Sequence, residues 1–149
     1  MLQVGDKAPE ILGTDEMGNE VKLSDYSGRR LVLYFYPKDS TPGCTAEACS
    51  LRDGMERLLS EGYAVVGVSA DSAKSHERFK EKQQLNFPLI ADVDKKLIEA
   101  FGVWAKKKMA GREYMGIVRT TFVIDSTGVV ERVITKVDTK NAAKQILGE

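Results

Sequence analysis

The chain is poor in the residues that most protein chemistry needs. Of 149 residues, two are cysteine and one is histidine. Two cysteines are too few for a disulfide scaffold. An iron–sulfur centre would want four thiolates or a cysteine–histidine mixture, which the chain cannot supply. A zinc site usually takes four ligands. Cys44, Cys49 and His76 would give three at no familiar spacing, so no metal and no cofactor is expected. A Ser-His-Asp triad would have to use His76. That residue lies in the polar run Ser75-His76-Glu77-Arg78 and is expected to face solvent.

Net charge is also lacking: 22 Lys+Arg balance 22 Asp+Glu. Broad electrostatic capture of nucleic acid or of an anionic membrane is not expected. No apolar run approaches the ~20 residues of a membrane span. The start, Met1-Leu2-Gln3-Val4-Gly5-Asp6-Lys7, has no signal-type apolar region, and a cytoplasmic address is expected. There is no linker, low-complexity tract or repeat. One domain over 1–149 is therefore expected, long enough to bury a sizeable core.

Strands are the clearest elements present. Leu31–Tyr36 and Tyr63–Ser69 are continuous apolar runs of the kind buried on both faces of a sheet. Thr121–Ile124 and Val129–Ile134 flank Asp125-Ser126-Thr127-Gly128, which reads as a hairpin turn. Glu10–Leu12 and Glu20–Leu23 are shorter candidates. Helices are expected from Cys44 to Ser60, from Ala73 to Gln84 with Ser72 as cap, from Lys95 to Phe101 with Asp94 as cap, and from Asp138 or Thr139 to Leu147. The order implies an α/β fold, a mixed central sheet with helices on both faces. The segment Ala105–Gly116, with Lys106, Lys107 and Lys108, reads as a solvated loop.

The chemistry concentrates in Tyr36-Pro37-Lys38-Asp39-Ser40-Thr41-Pro42-Gly43-Cys44-Thr45-Ala46-Glu47-Ala48-Cys49, between a buried strand and a helix. Sites in open α/β sheets form beyond the carboxyl ends of strands. Cys44 falls in the first helical turn, where free N–H groups and the helix dipole favour an anion. The thiolate is the nucleophilic form of cysteine. On a helical period Cys44 projects within about 10–20° of the apolar stripe of Ala48, Leu51, Met55, Leu58 and Leu59, while Cys49 projects about 130° away. Five residues of intact helix place the two Cα atoms about 8.6 Å apart. A disulfide tolerates less than about 7 Å. Either both thiols are inert, or the helix start melts and the bond forms. Cys-x4-Cys also departs from the Cys-x-x-Cys of thioredoxin-type sites.

Pro37-x-x-x-Thr41-x-x-Cys44 resembles the peroxiredoxin active-site motif. Phe35-Tyr36-Pro37, Thr41-Pro42-Gly43-Cys44-Thr45 and Glu47-Ala48-Cys49 are similar to its Q-type, or bacterioferritin-comigratory, branch. Further matching segments run in order from Val4-Gly5-Asp6-Lys7-Ala8-Pro9 through Gly67–Asp71, Phe87–Asp92 and Gly111–Gly116 to Arg119–Asp125. The resemblance implies a thioredoxin-like fold and a thiol peroxidase acting on hydrogen peroxide and organic hydroperoxides. It implies Cys44 as the attacking thiolate, Cys49 as the resolving thiol in an intrachain disulfide, and Thr41 and Arg119 at the peroxide. Pro37, Gly43 and Glu47 would complete the substrate site. A thioredoxin-type reductant is implied. Resolution within one chain requires no dimer, so a monomer is expected. Two other readings are weighed against this one: a protein thiol–disulfide oxidoreductase, and a binding module with inert cysteines.

Overall fold

A computed structural model describes all of residues 1–149. The strands are β1 (Ile11–Thr14), β2 (Glu20–Lys22), β3 (Arg30–Phe35), β4 (Tyr63–Ser69), β5 (Leu89–Ala91), β6 (Trp104–Met109), β7 (Arg112–Ile117), β8 (Thr120–Ile124) and β9 (Val130–Ile134). The helices are α1 (Pro42–Asp53), α2 (Met55–Ser60), α3 (Ala73–Gln83), α4 (Lys96–Phe101) and α5 (Ala142–Leu147), with short 3-10 turns at Leu23–Tyr26 and Thr139–Asn141.

The central sheet has the order β5-β4-β3-β8-β9. β3, β4 and β5 are parallel, and β8 and β9 are antiparallel additions. The mixed sheet follows from connection length. The helical crossovers between β3, β4 and β5 permit parallel pairing, whereas the tight Asp125–Gly128 turn forces β8 and β9 to run antiparallel. In that turn the Asp125 carboxylate accepts hydrogen bonds from Thr127 N and Val129 N.

Side chains alternate across β3. Val32, Tyr34 and Tyr36 join a core with Leu51, Leu58, Phe79 and Ile146 under α1, α2, α3 and α5. Leu31, Leu33 and Phe35 join a second core with Leu97, Ile98 and Phe101 of α4 and Leu12 of β1. The expected mixed α/β sheet with helices on both faces is present.

Four local expectations are corrected. The helix expected over Cys44–Ser60 is two helices, broken at Gly54. A Cβ at Gly54 would lie 2.5 Å from the Ala143 Cβ, so α5 packs directly on this backbone. Ala105–Gly116 is not a loop but the β6–β7 hairpin. Its two-residue turn, Ala110-Gly111, has positive φ at both positions (52° and 78°). Such a turn matches the twist of the strands it joins. Its lysines lie along β6, where Lys106 pairs with Glu113 and Lys107 reaches the Ile117 carbonyl. At α4 the capping carboxylate is Asp92, which accepts from Leu97 N and Ile98 N, rather than Asp94. His76, expected at the surface, is fully buried. The Ser72 cap on α3 is present, accepting from Ser75 N.

Candidate active site

β3 delivers the chain to the site edge, and α1 begins seven residues after Phe35, at Pro42, with Thr41 in extended conformation before it. Proline suits this first helical position, because it lacks the N–H that would go unbonded there. Cys44 therefore sits in the first turn of α1. It is 1% exposed and packs in the core with Ala48 and Leu51. Cys49, five residues on, is half-buried, and its Sγ lies 3.5 Å from Gln83 Oε1. The two thiols are free. They meet different environments, as the helical period requires. Both lie on the unbroken α1, beyond disulfide reach by the helix geometry above.

Arg119 approaches from the far end of the chain. It occupies the two-residue link between β7 and β8, not a strand position. Its Nη2 donates to Cys44 Sγ at 3.3 Å and its Nη1 donates to Glu47 Oε1 at 2.6 Å. One guanidinium thus bridges the sulfur and a carboxylate one helical turn later, a use of its planar fork that an ammonium could not copy. Gly43 makes room for this approach: a Cβ there would stand 3.2 Å from Arg119 Nη2.

Glu47 is fully buried and its Oε2 has no hydrogen-bond partner. Burial pushes its pKa up to about 7, against the opposing charge and hydrogen bond of Arg119. Arg119 remains a cation: burial works against its charge, but Glu47 and Cys44 together outweigh it. The Tyr34 hydroxyl is also buried and unpartnered, and its pKa is driven well above 10 by burial and then by Glu47 and Cys44.

The Thr41 hydroxyl donates to the Lys38 carbonyl at 2.8 Å and makes no bond to Cys44. Its hydrogen being used, its lone pairs stay available to accept. Pro37, half-buried, starts the loop directly after Tyr36. The structure thus brings Gly43, Cys44, Glu47 and Arg119 together, holds Thr41 one turn before the sulfur, and keeps Cys49 apart. It does not gather Cys44, Cys49 and His76: the histidine bonds Asp39 Oδ2 and the Ile90 carbonyl instead. Tyr34 and the Asp39–His76 pair were not foreseen in the sequence. The available signal was two tyrosines spaced by two on one face of an otherwise apolar strand.

A thioredoxin-like sheet with a buried thiol in a helix's first turn, bridged by arginine to a buried glutamate, defines a thiol-based oxidoreductase. Residues 4–133 match the AhpC/TSA family. The chain is 48% identical over 146 residues to Peroxiredoxin Bcp of Bacillus subtilis, covering 98% of this chain and 93% of that protein. It is 45% identical over 140 residues to Peroxiredoxin Bcp of Escherichia coli K12, covering 94% and 90%. Among solved structures, a cysteine-to-serine variant of Xylella fastidiosa PrxQ superposes with a TM-score of 0.89 at 34% identity, covering 99% of this chain and 94% of that one. Xanthomonas campestris peroxiredoxin Q gives a TM-score of 0.84 at 39% identity, covering 91% and 85%. The chain belongs to the AhpC/TSA family and, within it, to the Q-type (Bcp) peroxiredoxins, which are thiol-dependent peroxidases.

Proposed function

We propose that Cys44 is the peroxidatic residue and Cys49 the resolving one. The observation that carries this is the Arg119 guanidinium set between Cys44 Sγ and Glu47. The thiolate attacks the terminal oxygen of a hydroperoxide. The S–O bond forms as the O–O bond breaks, giving a sulfenic acid at Cys44 and an alkoxide or hydroxide that takes up a proton. Sulfur is oxidised and the peroxide is reduced by two electrons. Arg119 stabilises the negative charge on both the sulfur and the departing oxygen. Thr41, its own hydrogen committed to Lys38, accepts from the peroxide O–H. Gly43 and Pro37 complete the substrate site.

In the second half-reaction the Cys49 thiol attacks the Cys44 sulfenic sulfur. A disulfide forms and water leaves. Because an intact α1 separates the Cα atoms, this step unwinds the Cys44 turn, the Cys49 turn or both. A thioredoxin-type dithiol then reduces the disulfide. The substrates are hydrogen peroxide and organic hydroperoxides. The Xanthomonas campestris bacterioferritin comigratory protein, similar in structure at a TM-score of 0.85, is described for alkyl peroxide reduction. We further propose that residues 1–149 form one domain that acts as a monomer in the cytoplasm. No helix is long and apolar enough to cross a membrane.

Stopped-flow measurement of peroxide-dependent thiol loss tests the assignment. The unsubstituted protein should lose both thiols. Cys44→Ser should not react, and Cys49→Ser should react at Cys44 but stop at the sulfenic acid. A Cys44→Ser variant that still reduces peroxide would overturn it. Reaction with a protein disulfide but not with peroxide would favour the oxidoreductase reading.

A further inference from the structure

His76 is the chain's sole histidine and is fully buried on α3. Its Nε2 lies 2.8 Å from the Ile90 carbonyl oxygen, an atom that only accepts, so this nitrogen carries hydrogen. Its Nδ1 lies 2.7 Å from Asp39 Oδ2. Asp39 also accepts from the Tyr36 hydroxyl at 2.6 Å and from the Ser75 hydroxyl at 2.8 Å. Asp39 meets each of these partners as an acceptor, which puts the hydrogen of the remaining bond on Nδ1.

Burial favours the neutral ring. The hydrogen bond and charge of Asp39, the Ile90 carbonyl and the charge of Asp71 together outweigh it and hold the pKa above 6.5. The titratable groups facing the ring are Asp39 from the segment after β3, Asp71 from the turn after β4, and the Tyr36 hydroxyl, 3.4 Å from Nδ1. β5 presents only a carbonyl. Ligand atoms of Asp39, Asp71 and His76 lie within 4.8 Å of one another. The Asp39 amide and three hydroxyls already donate to the two carboxylates, so protein groups close this cluster without a cation.

The pair is anchored to the catalytic loop. Asp39 stands five residues before Cys44, and its N–H donates to Asp71 Oδ2 at 2.8 Å. The preceding residue, Lys38, supplies the carbonyl that takes the Thr41 hydroxyl. The following residue, Ser40, is left-handed at φ 64°. A serine held there is strained and persists only where its neighbours hold it.

We propose that His76, as an imidazolium bonded to both Asp39 and Ile90, is a positioning residue for peroxide reduction. It pins the Lys38–Thr41 turn, and through that turn it orients the Thr41 hydroxyl and the first turn of α1. The role rests on the assignment of Cys44 given above. The sign of its pH dependence follows from a folded pKa above the free value. The latch is complete below pH 6.5 and is lost as pH rises through the folded pKa. Peroxide reduction should carry a matching decline on its alkaline side.

Because there is one histidine, its ring signals are unambiguous. Long-range proton–nitrogen NMR of the reduced protein at pH 7 should find both ring nitrogens protonated, with a single transition at higher pH. Stopped-flow rates with hydrogen peroxide at pH 7 should fall about tenfold in His76→Asn and in Asp39→Asn, the scale of a small misplacement of reacting groups. The double variant should fall no further, since each change breaks the same link. The alkaline decline should be absent from both single variants. An unprotonated ring nitrogen at pH 7 would overturn the proposal, as would a folded His76→Asn reacting within twofold of normal. So would a slowed His76→Asn that keeps the alkaline decline. Cys44→Ser separates the two readings: peroxide reduction surviving there removes the Cys44 assignment itself, whereas its loss alongside a normal His76→Asn removes only the positioning role.

Discussion

Arg119→Ala removes two contacts at once. The sulfur of Cys44 loses a donor at 3.3 Å, and Glu47 loses its partner at 2.6 Å. Loss of one preorganised donor to a developing negative charge costs about 10²–10³ in rate, or roughly 3–4 kcal/mol. The second loss acts on stability. Arg119 is what lowers the Glu47 pKa against burial, so without it burial acts alone and the carboxyl becomes more strongly protonated at neutral pH. Above neutral pH, ionising Glu47 would leave an unpaired buried charge, and the variant should lose stability there. Adding Glu47→Gln should restore that stability without restoring the rate, since glutamine cannot ionise but supplies no cation. Arg119→Lys should recover little of the rate, because an ammonium cannot span both partners. The assay is the second-order rate of the Cys44 reaction with hydrogen peroxide by stopped flow, paired with urea unfolding at pH 6 and pH 8. An alanine variant reacting within a few-fold of normal would refute the reasoning.

Glu47→Gln alone should flatten the pH dependence of stability. With a folded pKa near 7 against an ordinary 4.5, the native protein holds the proton longer, so stability falls as pH rises through that window, by up to roughly 3 kcal/mol. An unchanged slope in urea melts from pH 4.5 to 7.5 would mean that Glu47 ionises freely. Gly43→Ala would place a methyl 3.2 Å from Arg119 Nη2 and should slow peroxide reduction several-fold with little change in unfolding midpoint; an unaltered rate would show that the guanidinium yields without cost. Oxidation should raise hydrogen exchange sharply across Thr41–Asp53, because closing the disulfide unwinds α1, while Tyr63–Ser69 in the central sheet stays protected. Unchanged exchange in that window, with the disulfide confirmed, would contradict the unwinding.

Much of the architecture is legible in local pattern. Leu31–Tyr36 and Tyr63–Ser69 declare themselves as strands buried on both faces, and the helical period alone turns Cys44 inward and Cys49 away. What the pattern conceals is settled by contacts between distant segments. Glycine stands at the Gly54 break because Ala143, far along the chain, packs against that bare backbone. His76 looks like surface within a polar run, yet α3 buries it together with Phe79, three residues on and on the same helix face. The β6–β7 hairpin carries its lysines in strand positions, and its turn depends on two residues of positive φ, one of them an alanine. Arg119 meets Cys44 across 75 residues of sequence, and only the family resemblance pointed to it.

The intramolecular redox cycle is tested most directly by mass analysis of the fully reduced protein after one equivalent of hydrogen peroxide, under non-reducing conditions. The account predicts a monomer lighter by two hydrogens, with Cys44 and Cys49 joined in one peptide pair. It also predicts that Cys49→Ser halts at a Cys44 sulfenic acid that a dimedone-type reagent traps. A disulfide-linked dimer as the main product, or a monomer whose two thiols survive peroxide, would contradict it.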